Sequence, residues 1–284
     1  RNRAQNWKPY RQKITDSAPT NTAAAAKSRR LSAWWIDMVL STRRRLFFSS
    51  PKRLLIAALI VIATVFLIDR FVSPSHLPWK PLDMDAGIGL ATGTKITMLA
   101  LTPGDKCFDK LATAKTLSFD MAEPRKSGET CGWEKVAKLD GTNDIAFRPA
   151  NVAMQCPVAA AGYIWLLDLD KKAKARFGSG LKRVFHAGTY SCRRMVGNSS
   201  GAWSEHAYAN AWDVTGFELK DGTIISVWED WRKADSDDAV RKAAFLKDAR
   251  GTACKLFRVV LSPDYNAAHK DHFHLDQGPS LSCR

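Results

Sequence analysis

Four of the six histidines in this 284-residue chain fall in two short segments, SEHAYANAWDV at 204–214 and HKDHFHLD at 269–276. Imidazole nitrogens beside the carboxylate of Asp213 are the donor types of a catalytic zinc site, because two histidines and one carboxylate leave the fourth tetrahedral position for water. Zinc acidifies that water and polarises a carbonyl, and a further histidine nearby serves as acid, base or oxyanion stabiliser. If HKDHFHLD is extended, His272 and His274 project to one face and Phe273 and Leu275 to the other, offering two imidazoles to one site. The six residues between His206 and Asp213 carry the chain from a loop into a strand and return both side chains to the same metal. Asp271 and Asp276 border the pair; each reads as a partner for the outer nitrogen of a ligand imidazole or as a solvated edge carboxylate. His76 and His186 lack any such context and read as structural or solvated.

The elements that position these groups are legible in outline. CPVAAAGYIWLLDLDKKAKARFG reads as a helix, with Pro157 in its first turn, basic residues late and Gly178 at its stop. SDDAVRKAAFLKDARGTACKLF reads as a second helix, with Ser236 and acidic residues at its start and Val240, Ala243, Ala244 and Leu246 at helical spacing. LKRVFHAGTYSC, FRVVLSP and DHFHLD read as strands, and DVTGFELKDGTIISVWEDW has the composition of a hairpin turning at Lys220-Asp221-Gly222. Strands joined by hairpins, with helices inserted in blocks, define an α+β domain on an antiparallel sheet with flanking helices. Trp203, Trp212, Trp228 and Trp231 lie near the two segments and read as core packing ahead of a groove lining.

Charge is unevenly placed. Residues 1–53 carry thirteen Lys/Arg against two Asp, whereas residues 74–284 carry twenty-nine Lys/Arg against twenty-five Asp/Glu. The basicity therefore belongs mostly to the tail, and no nucleic-acid partner is expected for the main domain. Between them RLLIAALIVIATVFLIDRFV is uncharged from Leu54 to Ile68 and shows no amphipathic period, so residues 54–72 read as one N-terminal transmembrane helix. More than fifty residues precede it, which marks an uncleaved signal anchor, and its basic flank belongs on the cytoplasmic side. The sequence begins with Arg1 and not Met, so a segment ahead of it is expected. Residues 1–53 read as a largely disordered basic tail in which LSAWWIDMVLSTRRRLFF forms a short membrane-surface helix, residues 73–96 as a proline-rich tether, and residues 97–284 as the exported domain. All six cysteines follow the apolar run, an even count that implies up to three disulfides in an oxidising compartment. Six cysteines allow fifteen pairings, and no CxxC spacing points to a cysteine zinc site.

Two motifs carry a resemblance. SEHAYANAWD fits S-x-H-x-x-G-x-A-x-D through Ser204, His206, Ala211 and Asp213, with Ala209 in place of Gly, and HKDHFH fits H-x-x-H-x-H. Together they resemble the LAS-type zinc peptidases of bacterial cell walls, the D-alanyl-D-alanine metallopeptidases and the penicillin-insensitive murein endopeptidase. The span from about Cys107 to Cys283, with YSCRR, DGTIISV and LSPDYNAAHKDHFHLD, resembles the bacterial extensin-like C-terminal domain family. The resemblance implies a LAS/hedgehog-like fold, Zn2+ held by His206, Asp213 and His274, catalytic assistance from His272 and His269, and substrate contacts from Arg193 or Arg194 and from Ser204. It implies a periplasmic domain on the bacterial inner membrane acting on peptidoglycan peptides. An endopeptidase cleaving D,D or L,D cross-links is expected ahead of a D,D-carboxypeptidase, because H-x-x-H-x-H is the form of the murein endopeptidase; the other reading is a non-catalytic peptidoglycan-binding or scaffolding module. Ala209 adds a methyl group at a point of close backbone approach, which alters the pocket without removing a ligand.

Overall fold

A computed structural model describes residues 51–102, 105–195 and 200–284. The expected basic tail and membrane-surface helix in residues 1–50 lie outside the described residues. Helix α1, Pro51–Phe71, buries none of its side chains and is long and apolar enough to cross a bilayer, since 21 residues extend about 31 Å at 1.5 Å per residue.

From Leu67 onward the chain forms one compact unit, mixed α+β. Helices α2 (Thr92–Leu101) and α3 (Lys106–Leu111) come first. Strands β1 (Asp120–Met121), β2 (Arg125–Ser127), β3 (Cys131–Trp133), β4 (Ala137–Leu139), β5 (Gly141–Thr142), β6 (Ile145–Arg148) and β7 (Val152–Met154) follow. Then come helix α4 (Cys156–Phe177), β8 (Leu181–Gly188), β9 (Ala211–Leu219), β10 (Ile224–Ser226), α5 (Val227–Asp230), α6 (Asp237–Ala253), β11 (Val259–Leu261), β12 (Phe273–Asp276) and β13 (Ser282–Cys283). The principal sheet runs β13-β11-β12-β9-β8-β6-β5, with β10 also paired to β9. Its pairs are antiparallel except β6 with β8 and β11 with β13, which are parallel, so the expected antiparallel sheet is in fact mixed at two places. Both parallel partners rejoin the sheet after long connections, which no local turn signal announces.

One face of this sheet carries the core. Trp165 of α4 meets Trp212 and Phe217 of β9 edge-on at 6.1 and 5.8 Å, and its indole N–H donates to the Ala249 carbonyl of α6 at 2.9 Å. Helix α4 is buried on every side from Cys156 to Leu166, because α2, α3 and α6 pack around it, and Gly178 ends it in the left-handed conformation. Ser236 caps α6 through its Oγ at 3.2 Å from the Ala239 N–H. Phe245, Leu246 and Ala249 form the buried face of α6, whereas Val240, expected in that stripe, is 49% exposed. Trp212 and Trp231 are buried, while Trp228 stands in solvent. The hairpin β9–β10 turns where expected, but its second strand stops after three residues. The N–H of Ser226 donates to the Asp230 carboxylate and the Ser226 hydroxyl accepts from the Glu229 N–H, which starts α5 at once.

The segment expected as a tether is part of the domain. Leu77, Leu82 and Met84 are buried, and Tyr163 of α4 donates to the Asp85 carboxylate. The ammonium of Lys95 donates to the Pro74 carbonyl at 2.6 Å. Anchors spaced irregularly among prolines leave no period to read, which is why the sequence looks like a linker. Three disulfides close the unit, Cys107–Cys156, Cys131–Cys192 and Cys254–Cys283.

Candidate metal centre

On the sheet face away from the core, three side chains converge. Asp213 of β9 and His274 of β12 stand directly opposite in the antiparallel register, and Phe273 and Leu275 turn to the core as the two-residue alternation requires. His206 comes from a 3-10 turn, Glu205–Tyr208, whose first N–H groups are satisfied by Ser204: its Oγ accepts from the His206 N–H at 3.3 Å and its carbonyl from the Ala207 N–H at 2.8 Å. Ala209 then takes left-handed angles, φ 55° and ψ 27°, and swings the chain into β9. The expected cost of losing Gly here is therefore conformational, about 1 kcal/mol for a residue with a Cβ.

The inward atoms are His206 Nε2, His274 Nδ1 and the Asp213 carboxylate. His206 Nε2 lies 3.0 Å from Asp213 Oδ2 and 3.1 Å from His274 Nδ1, which lies 2.9 Å from Asp213 Oδ1. Both outward nitrogens are occupied. His206 Nδ1–H donates to the Thr189 carbonyl at 3.1 Å and His274 Nε2–H to Asp276 Oδ2 at 2.9 Å. A carbonyl and a carboxylate can only accept, so both tautomers are fixed with their lone pairs facing inward. Of the two bordering aspartates, Asp276 is thus the one that orients a member of this cluster.

Two lone pairs 3.1 Å apart beside a carboxylate repel one another unless a proton or a cation lies between them. Burial works against a charged imidazole at His274, but hydrogen bonds to Asp213 and Asp276 outweigh it and raise the group to about 9. Burial likewise opposes ionisation of Asp213, yet hydrogen bonds from His206 and His274 hold it well below the usual carboxylate range. The cluster therefore demands a positive charge at its centre, and its two nitrogens and one carboxylate fit Zn2+ as a donor set.

His272 and His269 form a shelf beside it. His272 Nε2 lies 3.7 Å from Asp213 Oδ1, while its Nδ1–H donates to Asp271 Oδ1 at 2.9 Å. His269 Nδ1–H donates to Asn266 Oδ1 at 2.7 Å, and its ring stands 5.2 Å from that of His272 and 5.9 Å from that of His274. Burial, followed by the charges of His272 and His274, lowers His269 to about 4. Arg193 is exposed, and its charge reaches His269. The Arg194 guanidinium instead lies over Trp203 at 4.4 Å and bonds to the Gly201 carbonyl, which commits it to its own loop. Ser204 is buried as a cap and is not presented to the cleft.

Sequence reasoning missed Thr189, Asn266 and Glu205. Thr189 acts through its backbone oxygen, which no side-chain motif encodes. Asn266 caps its own turn, accepting from the Ala268 N–H at 3.0 Å, an Asx signal the sequence did offer. Glu205 accepts from Asn210 at 2.6 Å behind the cluster, and burial raises its pKa. His186 is buried with Nε2–H on the Pro149 carbonyl at 2.7 Å, and His76 accepts from the Leu90 N–H at 3.2 Å.

An α+β domain with a convergent His-Asp-His cluster and two flanking histidines is thus the class that fold and site define. The family described as extensin-like protein C-terminus matches residues 105–284, and the chain belongs to it. No curated protein and no solved structure matches the chain.

Proposed function

We propose that this protein is a membrane-anchored zinc metallopeptidase of LAS/hedgehog-like fold that hydrolyses peptide cross-links of peptidoglycan, its domain facing the periplasm. The observation that carries the reading is the convergence of His206 Nε2, His274 Nδ1 and Asp213 with His272 Nε2 only 3.7 Å from Asp213. Zn2+ on these three residues would supply an acidified water and a Lewis acid for the scissile carbonyl. The protein's own part is proton transfer and positioning. Because Asp271 holds the Nδ1–H of His272, its Nε2 is left as a base facing the cluster; it takes the proton of the attacking water and returns it to the leaving amine. His269, neutral at physiological pH, adds a second donor or acceptor beside it. Arg193, whose side chain is exposed while Arg194 is engaged, is the arginine available to a substrate carbonyl or carboxylate.

The test is to incubate the full chain in detergent micelles, zinc-loaded, with sacculi and isolated cross-linked muropeptides, and to read products by mass spectrometry against chelated protein and a His272→Ala variant. Monomers arising from dimers only with metal and His272 are the expected result, and the dimer consumed names D,D or L,D specificity. Release of terminal alanine alone would make it a carboxypeptidase. Zinc-loaded protein that binds muropeptides without forming any product would leave a binding module.

A further inference from the structure

Beside the His272 shelf the sheet opens into a cavity of about 520 Å³, a size that takes a few residues of an extended chain. It arises from an irregularity in pairing. His186 of β8 pairs with Val214 and Phe185 with Gly216, so Thr215 of β9 has no opposite residue. The buried side chains of β9 change phase there, from Trp212 and Val214 to Phe217 and Leu219. Strand β12 covers β9 only as far as Val214, and β10 begins its pairing at Gly216. The gap between them is floored by Phe185, Thr215 and Ile224 and walled by Trp228, Lys270 and Asp271. Asp271 is the residue that orients His272, so this groove runs up to the proposed reaction centre.

Its chemistry is specific. Trp228 and Ile224 are 58% and 48% exposed, a large apolar area left in water. The Lys270 ammonium lies 4.8 Å from the Trp228 ring centroid and has no carboxylate partner among the described residues. The Asp271 carboxylate accepts from the His272 Nδ1–H and makes no ion pair with Lys270, so the ammonium is the groove's cation left unpaired among the described residues. We propose that this groove is a substrate subsite that takes the carboxylate-bearing end of a peptide, its backbone and small side chain against Trp228 and Ile224 and its carboxylate on Lys270. The inference rests on the peptidase reading above and adds which chemical group the enzyme selects and with which residues.

The test separates binding from turnover. The full chain in micelles, stripped of metal by chelation so that no cleavage occurs, is titrated calorimetrically with an acylated alanine-terminated tripeptide, as free acid and as C-terminal amide. Wild type is expected to prefer the acid by about tenfold, as a charge-assisted hydrogen bond implies. Lys270→Gln removes that preference, and Trp228→Ala weakens acid and amide alike by about five- to tenfold, with Trp228→Phe recovering most of the loss. Both side chains are exposed, so the variants keep the fold. Zinc-loaded wild type that cleaves muropeptides while neither substitution alters affinity or preference would overturn the subsite and leave the peptidase reading standing. Wild type that neither binds nor cleaves would overturn both. Binding of a chitooligosaccharide, lost in Trp228→Ala and without any acid preference for the peptide, would reassign the groove to sugar.

Discussion

His269 and His274 belong to one eight-residue segment and their rings lie 5.9 Å apart, yet one is pushed down to about 4 and the other up to about 9. Burial opposes a charged ring at both and is deeper at His274, the one that is raised, so burial does not explain the split. Partners do. His274 faces a carboxylate on each nitrogen, whereas His269 has the neutral Asn266 amide on one side, with His274 and Arg193 near enough to repel a positive charge on it. The inner cluster favours positive charge at its centre, whereas His269 beside it is held neutral.

Removing one member of each region breaks that contrast most sharply. Asp213→Ala should abolish metal binding and bring hydrolysis to background, as read by bound zinc and muropeptide turnover. His272→Ala should lower kcat by about 10²- to 10⁴-fold while zinc content stays unchanged. Loss of zinc in His272→Ala would merge the two regions into one. Asp276→Asn keeps the shape but replaces the carboxylate behind His274, and zinc affinity in a competitive chelator assay should fall by about 10- to 100-fold.

Acidity sharpens the comparison. His274, raised above its unfolded value near 6.5, contributes stability that is fully present below that pH and is lost as pH climbs through about 9. Asp213, held low, contributes stability present above pH about 4 and lost on acidification. Chelated protein should therefore lose on the order of 2 kcal/mol between pH 6.5 and 9 in denaturant titrations, whereas zinc-loaded protein, with metal in place of the proton, should stay level. The smallest effect belongs to the turn that delivers His206: Ala209→Gly relieves the left-handed strain and should stabilise the chain by about 0.5–1 kcal/mol.

Local signals in the sequence located the two long helices and the faces of the late strand, though the local cap at Asn266 was missed. Pro157 and Gly178 bracket α4, Ser236 starts α6, and the alternation of His272, Phe273, His274 and Leu275 assigns two faces. The segments that hold His206, Asp213 and His274 were conspicuous for their histidines and aspartates, but which of these side chains meet was implied by the family resemblance and not by spacing, since His274 lies 61 residues from Asp213. What escaped depends on distant partners. The burial of Leu82 and Met84 is set by the common core they join, the parallel pairings by long returns of the chain, and the pairing of six cysteines by the whole fold. Val240 is helically spaced but exposed because α6 presents Phe245 and Leu246 to its neighbours instead. The groove at Thr215 comes from a pairing mismatch between β8 and β9, which neither strand reveals alone.

Asp213 and His274 are direct neighbours across two strands but stand 61 residues apart in the chain. A ribosome adding 5–20 residues per second makes the second roughly 3–12 s after the first. Throughout that interval the growing polypeptide carries His206 and Asp213 without His274, and Cys283, the partner of Cys254, emerges later still. Translation order thus works as a timer: the nascent chain holds an incomplete cluster until the late strand has emerged and docked.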